Sequence, residues 1–124
     1  MPKRNALHIW VAAILFIATT VVASQQNVTR RIQQFENEDV RVWKSIILPN
    51  QPLTQHRHDH PRALVALVGG SLKIVKQSGE SHTVDWKSGS AYWLPADPPG
   101  EMHADVNPGT NPIEVMVVEL KHHK

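Results

Sequence analysis

Between Val40 and Leu120 a turn signal interrupts the chain before any helix of ordinary length could form. Val40, Val42 and Lys44 alternate with Arg41, Trp43 and Ser45. Ile46-Ile47-Leu48 then completes an apolar strand that Pro49-Asn50-Gln51-Pro52 ends. Ala63 to Val68 is a short apolar run closed by Gly69-Gly70, and Leu72 to Lys76 follows at once, which predicts a hairpin between the two. Ser78-Gly79-Glu80 reads as a turn, His82 to Trp86 as a strand, Lys87-Ser88-Gly89 as a turn and Ala91 to Leu94 as another strand. After the proline-stiffened loop Pro95 to Gly100 come Met102 to Val106, a turn at Asn107-Pro108-Gly109, and the strongest strand, Ile113 to Leu120. About eight short strands without intervening helices exclude a parallel α/β design and leave an antiparallel sandwich or barrel. A barrel is the more complete answer to exposed strand edges in so short a chain.

The 124 residues allow one domain with one core. Lys3 and Arg4 precede an uncharged run over residues 9–23, with Val21-Val22-Ala23 ahead of Ser24. That order predicts a signal peptide over residues 1–23, or a retained membrane anchor, so the domain is expected to be periplasmic or secreted, or else anchored with its body outside the cytoplasm. Residues 24–39 read as a polar N-terminal arm in which Val28, Ile32 and Phe35 are spaced like one stripe of a short helix, or as a loose arm along a sheet edge. Residues 40–120 form the β domain and 121–124 a charged tail. The formal charge of +2 disappears once Lys3 and Arg4 are set aside, because 11 basic then face 11 acidic side chains. No basic stripe remains, and nucleic-acid binding is excluded as a class. Absence of cysteine leaves imidazole, carboxylate and water as the only metal donors.

Three of the eight histidines stand in alternation in Gln55-His56-Arg57-His58-Asp59-His60-Pro61-Arg62. On an extended chain His56, His58 and His60 share one face and can converge on an ion, while Arg57 and Asp59 point away toward solvent or one another. A solvated, histidine-rich loop is the competing reading. Trp43, Trp86, Tyr92, Trp93 and Phe35 are expected as core, since a small barrel needs large fillers.

With these motifs in order, the chain resembles the cupin family, whose fold is the small antiparallel jelly-roll barrel. His56, His58 and Gly69 match its first motif, and Gly89, Pro95, Gly100, His103 and Asn107 its second, over residues 40 to 120. Asn50 stands where a glycine usually opens the first motif, the gap from Pro95 to Gly100 is longer than usual, and Arg62 replaces the usual glutamate ligand. The resemblance implies one divalent metal held by His56, His58 and His103, and a homodimer built by extending a sheet across the interface.

The chemistry of the residues agrees. Two histidines on one segment and a third about 45 residues later supply three neutral donors and leave positions for water or a ligand. Fe, Mn, Ni, Cu and Zn all suit such donors, whereas Ca and Mg prefer oxygen. Three imidazoles leave the ion its full charge, and Arg62 adds to it, so the expected partner is a small anionic molecule, with Arg62 and His60 as candidate substrate-binding residues. His60, constrained by Pro61, is placed at the rim ahead of direct ligation. Asp105 shares the parity of His103 and is a further candidate ligand or base, while Asn107 is expected to bond to the turn backbone. Three functions are open: a metal-dependent enzyme on a small anion, a non-catalytic module capturing a small molecule or metal, and a metal-free structural barrel.

Overall fold

The computed structural model describes residues 27–122 and consists of nine strands. They are β1 (Arg30–Glu36), β2 (Val40–Ile47), β3 (Leu53–His56), β4 (Arg62–Val68), β5 (Gly70–Lys76), β6 (Ser81–Trp86), β7 (Ala91–Leu94), β8 (His103–Val106) and β9 (Ile113–Leu120). Every ladder between them is antiparallel. One sheet has the order β1-β2-β9-β4-β7 and the other β3-β8-β5-β6. The signal or anchor expected over residues 1–23 lies outside the described residues, among which no helix is long and apolar enough to cross a membrane.

The closed barrel predicted from sequence is not what forms. Among the described residues no strand ladder joins the two sheets, and the isolated parallel bridge Pro49↔Asn107 stands at one end. The edges are blunted in other ways: β3 and β7 are four residues long, and β1 offers Arg30, Arg31, Gln33, Gln34 and Glu36. The architecture is therefore an open, two-layer antiparallel fold.

Two further readings are corrected. Residues 30–36 are not a helix; they lie along a sheet edge, as the alternative reading had it, but as a paired strand held in register against β2 from Arg30↔Ile46 to Glu36↔Arg41 across a bulge after Gln33. Val68-Gly69-Gly70 does not close a hairpin, since β4 belongs to the five-stranded sheet and β5 to the four-stranded one. The chain crosses between layers at Gly69, whose N–H donates to Ser88 Oγ at 2.8 Å. A methyl group there would stand 2.0 Å from the carbonyl oxygen of Trp86.

The inner face of the five-stranded sheet is built in rungs that explain where the site sits. Ile47 pairs with Ile113, Ser45 with Val115 and Ala66, Trp43 with Val117 and Leu64, and the last rung is Arg41, Glu119 and Arg62. Trp43, Ile47, Leu64, Ile113, Val115 and Val117 pack with Leu72 of the opposite sheet as one core. Each such burial contributes about 1.5–3 kcal/mol. The core therefore fills one end, and the rung with one carboxylate and two guanidiniums leaves the other end polar. Trp86 and Tyr92 pack against this core as expected, but Trp93 and Phe35 do not: they are 60% and 55% exposed. Both lie on edge strands, where only one neighbour is available to cover them.

Candidate metal centre

His56 is the last residue of β3 and pairs in register with His103, the first of β8. His58 lies beyond the end of the strand, so strand alternation does not place it. The proline loop does. The His58 N–H donates to Asp97 Oδ2 at 2.7 Å and the Asp97 N–H donates back to the His58 carbonyl at 2.8 Å. One ring nitrogen from each of His56, His58 and His103 falls within 4.8 Å of the others. A small rotation of the rings closes that spacing to the roughly 3–3.5 Å that bonds of about 2.1 Å to one ion require.

The outward-facing nitrogens are already engaged. His56 Nδ1 lies 2.6 Å from the Thr54 carbonyl and donates to it, His58 Nδ1 is 3.4 Å from Glu119 Oε2, and His103 Nδ1 is 3.5 Å from Asp97 Oδ2. Partners on Nδ1 fix the tautomer that leaves Nε2 as the donor, the arrangement found around metal-binding imidazoles. His56 Nε2 is buried and has no hydrogen-bond partner, a costly state for a polar atom. A divalent cation fits these residues. Trp43 stacks on His58 with planes 1° apart and holds its ring orientation.

Burial sets the protonation of the cluster. The His56 imidazole is pushed down to about 4, chiefly by desolvation, and His103 is lowered for the same reason. Burial raises the Asp105 carboxyl. Burial would raise Glu119 as well, but its hydrogen bond to His58 and the charges of His58 and Arg41 bring it below the usual range. Between the ordinary imidazole value of 6.5 and about 4, the unfolded chain binds a proton at His56 that the native chain refuses. Stability is then lost as pH falls through that window, and His103 acts in the same direction while Asp105 opposes it. Urea denaturation of metal-free Asp105→Asn protein, which removes the opposing carboxyl, is expected to give a lower midpoint at pH 5 than at pH 7; an equal or higher midpoint at pH 5 would show that these rings are not buried as neutral groups.

The cluster stands at the polar end of a cavity of about 170 Å³ between the sheets. His58, His103, Asp105, Asp97, Arg62 and Arg31 line its charged part, and residues such as Leu64, Val84 and Leu94 its apolar part. Arg62 is 7% exposed and faces inward as the first residue of β4; its Nη1 donates to the Pro95 carbonyl at 3.1 Å and its Nη2 lies 3.9 Å from Asp97 Oδ1. Asp59 pairs with Arg57 at 2.6 Å, one of the two arrangements expected for them. His60 is not in the cluster and lines an outer recess of about 430 Å³ with Arg41, Arg57 and Asp59, on the far side of His58 and Trp43. His82 is exposed at the cavity margin. Asn107 is structural: its amide donates to Ile47 O and Asn111 O, and its Oδ1 accepts from Gly109 N–H.

Sequence reasoning passed over Asp97, Glu119 and Arg31. Glu119 had a usable signal, since it shares the parity of the core residues Val115 and Val117, and a carboxylate on a buried face needs a partner. Asp97 sits in a loop without periodicity, and Arg31 in the strand read as an arm.

No protein-family model matches the chain, and no curated protein does. Solved structures do match. A cupin domain from Bordetella pertussis Tohama I is 25% identical with a TM-score of 0.67, over 77% of this chain and 95% of that one. This chain shares the cupin fold, the RmlC-like double-stranded β-helix. Two other structures share the fold at lower identity. A protein with a double-stranded β-helix domain from Klebsiella pneumoniae is 21% identical, TM-score 0.57, over 76% and 77% of the two chains. An RmlC-like cupin family protein from Methanocaldococcus jannaschii is 15% identical, TM-score 0.56, over 78% and 85%. Within the cupin frame the histidines of both motifs come together here, and Arg62 occupies a buried, hydrogen-bonded place in the wall.

Proposed function

We propose that this cupin-fold protein is a metal-dependent enzyme acting on a small carboxylate- or phosphate-bearing molecule, with one divalent transition metal on His56, His58 and His103. The observation that carries the reading is the buried His56 Nε2 without a hydrogen-bond partner, within reach of two further imidazoles at the end of a cavity that also contains a buried guanidinium. A metal-free structural role would leave that nitrogen's desolvation uncompensated. When bound, such a metal supplies Lewis acidity toward an oxygen of the ligand.

The chain's own residues do the rest. Arg62 keeps its charge at any physiological pH and presents a planar donor fork into the cavity, which orients an anionic group. Asp97 holds both the His58 backbone and the neighbourhood of Arg62, so the proline loop couples metal donors to anion recognition. Leu64, Val84 and Leu94 exclude water around the body of the ligand.

Zinc-loaded protein titrated calorimetrically with a panel of small carboxylates and phosphate esters tests this. Arg62→Gln is expected to weaken the anions that bind by about 10- to 100-fold, the worth of a charge-assisted hydrogen bond, and to leave zinc affinity within about twofold. Equal anion affinity in both proteins would remove Arg62 from the site. Product analysis with the bound anions, over Fe, Mn, Ni, Cu and Zn forms, separates turnover from capture without change.

A further inference from the structure

Asp105 stands on the inner face of β8, two residues after His103 and in register with Leu53 of β3 and Ile74 of β5. It is 9% exposed. Its Oδ2 lies 3.5 Å from His56 Nε2 and its Oδ1 lies 3.6 Å from His103 Nε2. These are the nitrogens that the Nδ1 partners leave with lone pairs. A carboxylate oxygen facing a lone pair on each of two rings is repulsive, and the contact at His56 Nε2 makes no hydrogen bond.

The other two carboxylates that approach the rings behave differently. Glu119 and Asp97 approach Nδ1 of His58 and His103, the side on which a carboxylate orients a metal-binding ring from behind. Asp105 alone stands in front, on the Nε2 side of two rings. A proton between carboxylate and ring would relieve one contact at most, whereas a cation among the three groups relieves both.

We propose that Asp105 is the fourth protein ligand of the metal, supplied from β8 where Arg62 has removed the acidic residue of the first motif. The inference rests on the reading of His56, His58 and His103 as metal donors. It turns a neutral set of three nitrogens into three nitrogens and one carboxylate oxygen, which lowers the charge the ion presents by one. It also shifts preference toward ions that accept oxygen with imidazole, such as Fe(II), Mn(II), Co(II) and Zn(II), over Cu(I). Arg62 is then free to serve the anion and is not a lost ligand.

The test uses the domain without a histidine tag and two metals, Zn(II) by competition with a chromophoric chelator and Co(II) by its visible absorption. Wild-type protein is expected to take up one ion per chain. Asp105→Asn, nearly isosteric, is expected to keep that stoichiometry while losing about 10- to 100-fold in Zn(II) affinity and changing the position and intensity of the Co(II) bands. Asp105→Glu, which keeps the carboxylate, is expected to recover part of the affinity. Thermal melting of the metal-free proteins establishes that each variant is folded. Wild type and Asp105→Asn with equal Zn(II) affinity and the same Co(II) spectrum overturn the proposal while leaving the histidine site standing. Absence of metal from the wild type overturns both. Should Asp105→Asn fail to fold, the Co(II) spectra of wild type and Asp105→Glu decide, a shift supporting direct ligation and identity overturning it.

Discussion

Protein carrying alanine at His56, His58 and His103 together is expected to contain almost no transition metal, against close to one ion per chain in the wild type purified alongside it. Three imidazoles supply every nitrogen donor of the cluster, and the remaining carboxylates, Asp97, Asp105 and Glu119, are spread around the rings and not gathered at one point. Loss of a residue that merely orients a ligand typically costs 10- to 100-fold in metal affinity, so each single ligand substitution should cost about 100-fold or more. His56→Ala is the most informative single variant. It removes a ring whose Nδ1 bonds to the Thr54 carbonyl and leaves Asp97 Oδ2 its contacts with the His58 N–H and His103. Metal analysis by mass spectrometry of untagged protein reads the result. Equal, near-zero content in wild type and triple variant would end the metal reading and with it the proposed function.

Gly69→Ala is expected to produce the largest loss of stability of any single methyl group added to the chain. The new Cβ would meet the Trp86 carbonyl oxygen at 2.0 Å and the Ser88 nitrogen at 2.7 Å, both backbone atoms, where real Cβ contacts essentially never fall below 3.0 Å. Neither side can give way easily. The Ala66 N–H donates to Ser90 O at 3.0 Å and the Gly89 N–H to Ala66 O at 2.7 Å, which fasten the end of β4 to the turn after β6. Relief requires breaking that seam or moving Leu72, which is fully buried three residues on. The cost should lie near the upper end for overpacking, about 3–5 kcal/mol, and a fold of this size should melt roughly 15–30 °C lower. Ser88→Ala, which deletes only the hydrogen bond to Gly69 N–H, is the matched control and should cost about 1 kcal/mol. A Gly69→Ala protein melting within about 3 °C of wild type would mean the crossing between layers is looser than its contacts indicate.

Gly69 also shows how far local pattern reaches. Two glycines between apolar runs announce a sharp turn whichever strand the chain pairs with next, so a hairpin and a crossing between sheets read alike. Only the long-range ladders β4 with β9 and β5 with β8 decide between them. The same holds for the edge at β1. Polar residues on both faces gave no alternation to read, and the strand exists because β2 offers it a ladder. Closure into a barrel or an open pair of layers is likewise a question of which edges meet, about which no stretch of residues carries information.

What residue order determined by itself was the all-β class, the extent of the strands from Ala91 to Leu94 and from Ile113 to Leu120, and the three histidines of the cluster. Alternation and turn residues act over a few positions, and those features are local. His58 was found for a partly wrong reason, since parity suggested it but the Asp97 clamp places it beyond the end of β3. Pro61 already marked His60 for the rim, but tertiary structure alone decided that Arg62 is built into the wall beside Asp97 and that Asp105 faces two ring nitrogens at once. Each depends on groups brought together from strands and loops distant in sequence. Coulombic and hydrogen-bond energies fall with distance in space, and a chain's sequence records no such distance until it has folded.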